Sequence, residues 1–189
     1  MARVFESIDD RLHAWLTAQP MFVVATAPSV GGHVNASHKG MAGTFVVLGP
    51  TTVAYLDYTG SGAETIAHVR DNGRIALMFT SFSGPPRVVR LQGRGRVVRL
   101  DDPEFAELRA VFGKPREIGQ RCVIVVECDR IADSCGYSVP LMDFVADRDL
   151  LDRGQERRDE AYFQTYWATR NAASIDGLPA VPVPVTETS

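Results

Sequence analysis

The chain has 189 residues, 45% of them hydrophobic and 23% charged, and a formal net charge of −3. This is the profile of one globular domain long enough to bury a proper core, and its mild acidity offers no basic field for nucleic acid or anionic lipid. No apolar run reaches the length of a membrane span and residues 1–20 lack the apolar centre of a signal peptide, so the expected location is cytoplasmic, with no membrane or nucleic-acid partner.

Ser7 can cap a first helix, with Asp9 and Asp10 favourable in its first turn and Ile8, Leu12, Trp15 and Leu16 at helical spacing. Pro20 ends it. Residues 21–27 then read as a buried strand, and Gly31-Gly32 as the turn into a second strand over 33–37. The runs 44–48 and 52–58 are β-branched and aromatic and are joined through Gly49-Pro50, a further hairpin signal.

A short helix is expected over 63–70, stopped by Asn72-Gly73, residues suited to a left-handed cap. Strands over 74–82 and 87–100 follow across Ser83-Gly84-Pro85-Pro86. Asp101-Asp102-Pro103 opens another helix, with Phe105, Leu108, Val111 and Phe112 on its apolar face. The run 121–128 is a strand, a charged helix is expected from about 148 to 171, and the segment after Gly177 reads as a flexible tail. Mainly consecutive strands with hairpin-length links point to an antiparallel, closed or partly closed sheet and against a doubly wound fold.

Cys122, Cys128 and Cys135 match neither a metal knuckle nor a disulfide framework, and the four histidines form no zinc-binding pair, so free thiols and no metal are expected. Three segments carry polar chemistry. In Ser37-His38-Lys39-Gly40, strand alternation puts Ser37 and Lys39 on one face, a hydroxyl and an ammonium able to satisfy an anion; a polar strand end is the bland alternative. In Thr59-Gly60-Ser61-Gly62-Ala63-Glu64-Thr65, hydroxyls and glycines precede a helix, a pattern shared by anion sites and ordinary caps. In the strand over 87–98, Arg90, Gln92, Arg94 and Arg96 share one face, which is either a ligand wall or simple solvent exposure.

The order of these segments, from Val34-Asn35-Ala36-Ser37-His38-Lys39-Gly40 through the hydroxyl-rich turn to Arg87-Val88-Val89-Arg90, resembles the pyridoxamine 5′-phosphate oxidase-like family of FMN-binding split barrels. The resemblance covers about residues 5–178. It implies a mainly β, six-stranded antiparallel split barrel with flanking helices, in a single domain over 1–178: an N-terminal helix over 1–20, the barrel over 21–135 and a helical arm over 136–178, with a flexible tail over 179–189. It implies FMN as cofactor, a homodimer with shared cofactor sites, and an oxidoreductase acting on an unidentified small molecule. The cofactor-binding residues expected on this basis are Asn35, Ser37, Lys39, Gly40, Ser61, Thr65, Arg87 and Arg90, together with Trp167 and Arg170 from the C-terminal arm.

The chain departs from the family pattern in three places. The Ser-Arg-Lys triplet for the FMN phosphate is replaced by Ala63, Glu64 and Thr65, which leaves Lys39, Arg87 or Arg90 as the available cation. Val88 stands where the family has a glutamine beside the ring, and the family's C-terminal Arg-Leu substrate segment is missing, which argues against pyridoxamine phosphate oxidation itself. The rival readings are a deazaflavin- or haem-binding barrel, with His38 as axial ligand for haem, and a flavin-storage protein without turnover. No catalytic dyad is visible.

Overall fold

The structure, a computed structural model, describes residues 3–181. Within them, one antiparallel sheet of eight strands curls around a single apolar interior: β1 (Arg3–Phe5), β2 (Met21–Thr26), β3 (Asn35–Gly40), β4 (Phe45–Val47), β5 (Thr52–Tyr58), β6 (Arg74–Thr80), β7 (Val88–Arg99) and β8 (Gln120–Ser134). The order is β3-β2-β6-β7-β8-β5-β4, with β1 paired to β8. The path ends on β3 and β4 without pairing them, so the barrel is split, as expected, with two more strands than the expected six. Of the short strands, β4 lies inside the run 44–48 that the sequence marks as one side of a hairpin, whereas β1, three residues long, is too short for alternation to register in the sequence.

Alternation places the core. Phe22, Val24 and Thr26 of β2 point inward beside Phe79, Leu77 and Ile75 of β6 and Val89 and Leu91 of β7. Tyr55 of β5 and Ile124 and Val126 of β8 close the same interior. A fully buried Leu or Phe contributes about 1.5–3 kcal/mol, so this interior is the main source of stability. A smaller apolar cluster on the opposite face of β5 and β8 (Leu56, Val123, Val125) is covered by Phe105, Leu108 and Phe112 of the α3 region.

Five helices flank the sheet: α1 (Asp10–Thr17), α2 (Glu64–Asn72), α3 (Phe105–Ala110), α4 (Leu150–Glu156) and α5 (Glu160–Arg170). The first helix is capped by Asp9, whose carboxylate accepts from Leu12 N at 2.7 Å; Ser7 lies too early because the chain arrives extended, with Ile8 N bonded to Pro50 O. The second ends as expected at Gly73, left-handed with φ 72°. The single helix expected over 148–171 is two helices: Asp159 caps a new one by accepting from Tyr162 N at 2.8 Å, and the chain turns between them. The strand expected over 33–37 lies at Asn35–Gly40, and the strand expected over 121–128 continues to Ser134.

Leu178 and Val181 pack on the core and Ala180 is fully buried, so the first residues of the expected tail lie against the barrel; 182–189 fall outside the described residues. Cys122 and Cys128 are buried free thiols and Cys135 is an exposed one. No helix among the described residues is long and apolar enough to cross a membrane, and no group of potential metal ligands occurs among them.

Candidate functional site

The inner face of β3 carries Asn35, Ser37 and Lys39, opposite Thr26, Val24 and Phe22 of β2. Strand alternation dictates this, and it turns a polar strand toward an apolar interior. Each polar side chain therefore needs a partner, and tracing the partners divides the site into two ends.

At one end Lys39 Nζ donates to Asp57 Oδ1 at 3.2 Å. The other oxygen of Asp57 receives Arg121 Nε at 2.8 Å and Nη2 at 2.7 Å. Arg121 Nη1 donates to Gly62 O at 2.8 Å and to Asn171 Oδ1 at 3.0 Å. Asp57 and Arg121 are buried, while Lys39 keeps 23% of its side chain exposed. Burial alone would raise the Asp57 carboxyl, but Arg121 and then Lys39 outweigh it and hold the group below the ordinary carboxylate range. The trio therefore carries one net positive charge. Two neighbours feel the same setting: burial, then the Asp57 charge, pushes Tyr55 and Cys122 well above their ordinary values.

Lys39 opens onto a cleft of about 1770 Å³, walled by α1, the 81–87 turn and the arm over 137–151. Its lining is mostly apolar and includes Trp15, Phe82 and Phe144, with Gly40 exposing backbone beside Lys39. The loop from β3 to β4 forms part of the rim. Met41 there has φ 74°, the one left-handed residue other than glycine among the described residues, and Thr44 Oγ1 ties the turn to Gly40 O and Met41 O. Non-glycine residues in that conformation persist where surrounding structure enforces it, and they concentrate at ligand sites. Arg87 also lines the cleft, but its guanidinium is committed: it pairs with Asp133 at 3.1 Å and lies 4.9 Å from the Trp15 ring centre. It builds the wall.

At the other end Asn35 Nδ2 donates to Thr65 Oγ1 at 3.0 Å and to Thr26 Oγ1 at 3.1 Å. Thr26 in turn meets His68 Nδ1 at 3.0 Å. The start of α2 is overlaid by the C-terminal segment. Asn171 Nδ2 donates to Gly60 O at 3.0 Å, Ile175 N to Glu64 Oε1 at 3.3 Å, and Asp176 accepts from His33 N at 2.8 Å. Trp167 Nε1 donates to Thr59 Oγ1 at 2.8 Å.

The expected residues thus separate. Lys39, Gly40 and Arg87 share the cleft; Asn35 and Thr65 are bonded to each other; Trp167 packs on Thr59 at the border between the ends. Ser37 Oγ is buried without a partner. Ser61 and Arg170 are exposed, and Arg90 lies on the outer face of β7, bonded to Ser134 Oγ at 3.0 Å. Sequence reasoning missed Asp57, Arg121 and Asn171. Asp57 had a usable signal, because an acidic residue inside the apolar run 53–58 must find a buried counter-ion.

Comparison with known proteins agrees with this architecture. Residues 8–135 match the family model described as pyridoxamine 5′-phosphate oxidase. The chain is 39% identical over 194 aligned positions to the pyridoxamine 5′-phosphate oxidase family protein ustO of Aspergillus flavus, covering 94% of this chain and 77% of that protein. Two crystal structures of Group A Streptococcus HupZ share the fold at 18% identity. Their TM-scores are 0.55 and 0.54, and the matches cover 67% and 66% of this chain and 99% and 91% of those chains. With the family model spanning the barrel and a relative aligned along nearly the whole chain, this protein belongs to the pyridoxamine 5′-phosphate oxidase family.

Proposed function

We propose that the protein is an FMN-binding oxidoreductase that holds the flavin in the cleft beside Lys39 and Gly40. The observation that carries this reading is the pairing of an apolar, aromatic-lined cleft with one ammonium whose donors are mostly unspent. A planar ring with an anionic tail asks for that combination; Gly40 lines the cleft too, and a Cβ there would crowd Pro20 O at 3.2 Å. Family membership supports the same ligand class. Flavin, when bound, supplies the hydride or electron transfer itself, and the protein's part is to hold, orient and exclude water. The substrate is a small molecule taken up in the remaining cleft.

The assembly proposed is a homodimer whose sites are completed across the interface. Ala25, half-buried, pairs with exposed Ala36 on one side and half-buried Ala76 on the other, so the outer face of these strands is not fully covered. The free edge of β3 borders it, and Tyr137, Leu141, Phe144 and Val145 stand exposed on the arm over the cleft. Unpaired edges and contiguous exposed apolar surface are where a second subunit docks. We also place the protein in the cytoplasm.

The test is the absorption spectrum and FMN titration of the purified protein, with light scattering on the same sample. The reading expects a flavin doublet on reconstitution, saturable binding, and a mass twice 20.7 kDa. A Soret band would support the haem alternative, and a colourless protein that binds no flavin would end the flavin reading.

A further inference from the structure

We infer that the phosphate of the ligand is held at Lys39 and not at the start of α2, which this chain fills with its own C-terminal segment. The inference rests on the flavin reading above and departs from where the resemblance expects the phosphate.

The start of α2 does not fit a phosphate. No Lys or Arg occurs between 59 and 66, and Glu64 places a carboxylate there. Arg121 reaches Gly62 O, but its other donors are engaged by Asp57 and Asn171, so it has no fork left to offer an anion. Thr65 is buried with its Oγ1 accepting from Asn35, and Thr59 Oγ1 donates to Gly119 O while accepting from Trp167. The C-terminal segment overlies the place. Asn171 is fully buried and bonded to Gly60 O, Ile175 N is bonded to Glu64, Arg70 bonds Ala180 O, and Ala180 is buried in the core. Placing a dianion there would require breaking these contacts and setting it against Glu64.

Lys39 meets the opposite conditions. Its ammonium has three donors and spends one on Asp57, whose charge Arg121 already balances. Lys39 lines the cleft. Ser37, two residues away on the same strand face, has a buried hydroxyl without a partner and so takes none of the Lys39 donors. A phosphomonoester seated at Lys39 gains a charge-assisted bond against a site of net positive charge.

Fluorescence titration of the full-length apoprotein with FMN and with riboflavin tests this, because only FMN carries the phosphate. The wild type should bind FMN about ten- to a hundredfold tighter than riboflavin. Lys39→Gln should abolish that preference while leaving riboflavin affinity within about twofold, and Lys39→Arg should retain most of it. Lys39→Met, which keeps the apolar stem, repeats the measurement if Lys39→Gln does not fold. Thr65→Val and Glu64→Gln should leave the preference intact, and inorganic phosphate should compete with FMN but not with riboflavin. A preference that survives Lys39→Gln, or one that collapses in Thr65→Val, would overturn the inference. Equal affinity of the wild type for the two flavins would overturn it while leaving the flavin reading standing. No binding of either flavin would overturn both.

Discussion

Asn35 and Lys39 sit four residues apart on the same face of β3, and they use their donors differently. Asn35 spends both amide protons on Thr26 and Thr65, within a chain of side chains that runs on to His68. Lys39 spends one donor of three, on a carboxylate that a second cation already satisfies. The first end is closed by its own partners and by the C-terminal segment, while the second faces an open cleft. Polar residues on a barrel wall are therefore not equivalent as ligand candidates. Those whose donors are already used hold the fold, and those with donors to spare are the better candidates to meet a ligand.

The sharpest way to break this comparison is Arg121→Met. It strands Asp57 with Lys39 alone and removes the bonds to Gly62 and Asn171, so a loss of about 3–5 kcal/mol is expected in chemical denaturation. A loss below about 1 kcal/mol would show that Asp57 reaches water and is not a buried ion. Asn171→Ala should cost less, about 1–3 kcal/mol, because it removes one buried amide linking Arg121 to Gly60. Hydrogen exchange should then show faster opening of residues 171–181 with the barrel strands still protected. Uniformly faster exchange would mean that the segment and barrel open as one unit.

Acid should probe the same ion. The Asp57 carboxyl is depressed in the folded protein, so its contribution is fully present above the unfolded carboxylate value of about 3.9 and is lost as pH falls through the lower folded value. Stability should therefore drop below about pH 4 in the wild type. The drop should be shallower in Asp57→Asn, compared by melts across pH 2–6 on the scale of carboxylate titration. Parallel curves would assign the acid sensitivity to other carboxylates. The smallest effects belong to hydroxyls without partners. Ser37→Ala and Tyr55→Phe should change stability by no more than about 0.5 kcal/mol, since neither removes a protein hydrogen bond. A loss above about 1 kcal/mol in either would reveal a bridging water or a second conformation.

The barrel strands were legible because their residues obey a short-range rule. The run 52–58 and the Gly73 cap are written in local pattern, and both lie where the pattern puts them. The division of the site was not legible, because it depends on contacts between distant parts of the chain. Asp57 meets Arg121 across 64 positions and Asn171 reaches Gly60 across 111. Spacing alone could not show that Arg87 would be captured by Asp133, or that Thr65 would face Asn35. The same holds for α4 and α5, where only the turn of the chain reveals that Asp159 caps a separate helix.

The most direct measurement of the central claim is a crystal structure of the full-length protein with FMN bound. The account predicts the ring in the cleft against Gly40, the phosphate within hydrogen-bonding distance of Lys39 Nζ, and residues 171–181 still bonded across Gly60 and Glu64. A phosphate lying on Thr65 at the start of α2, with the C-terminal segment displaced, would contradict it.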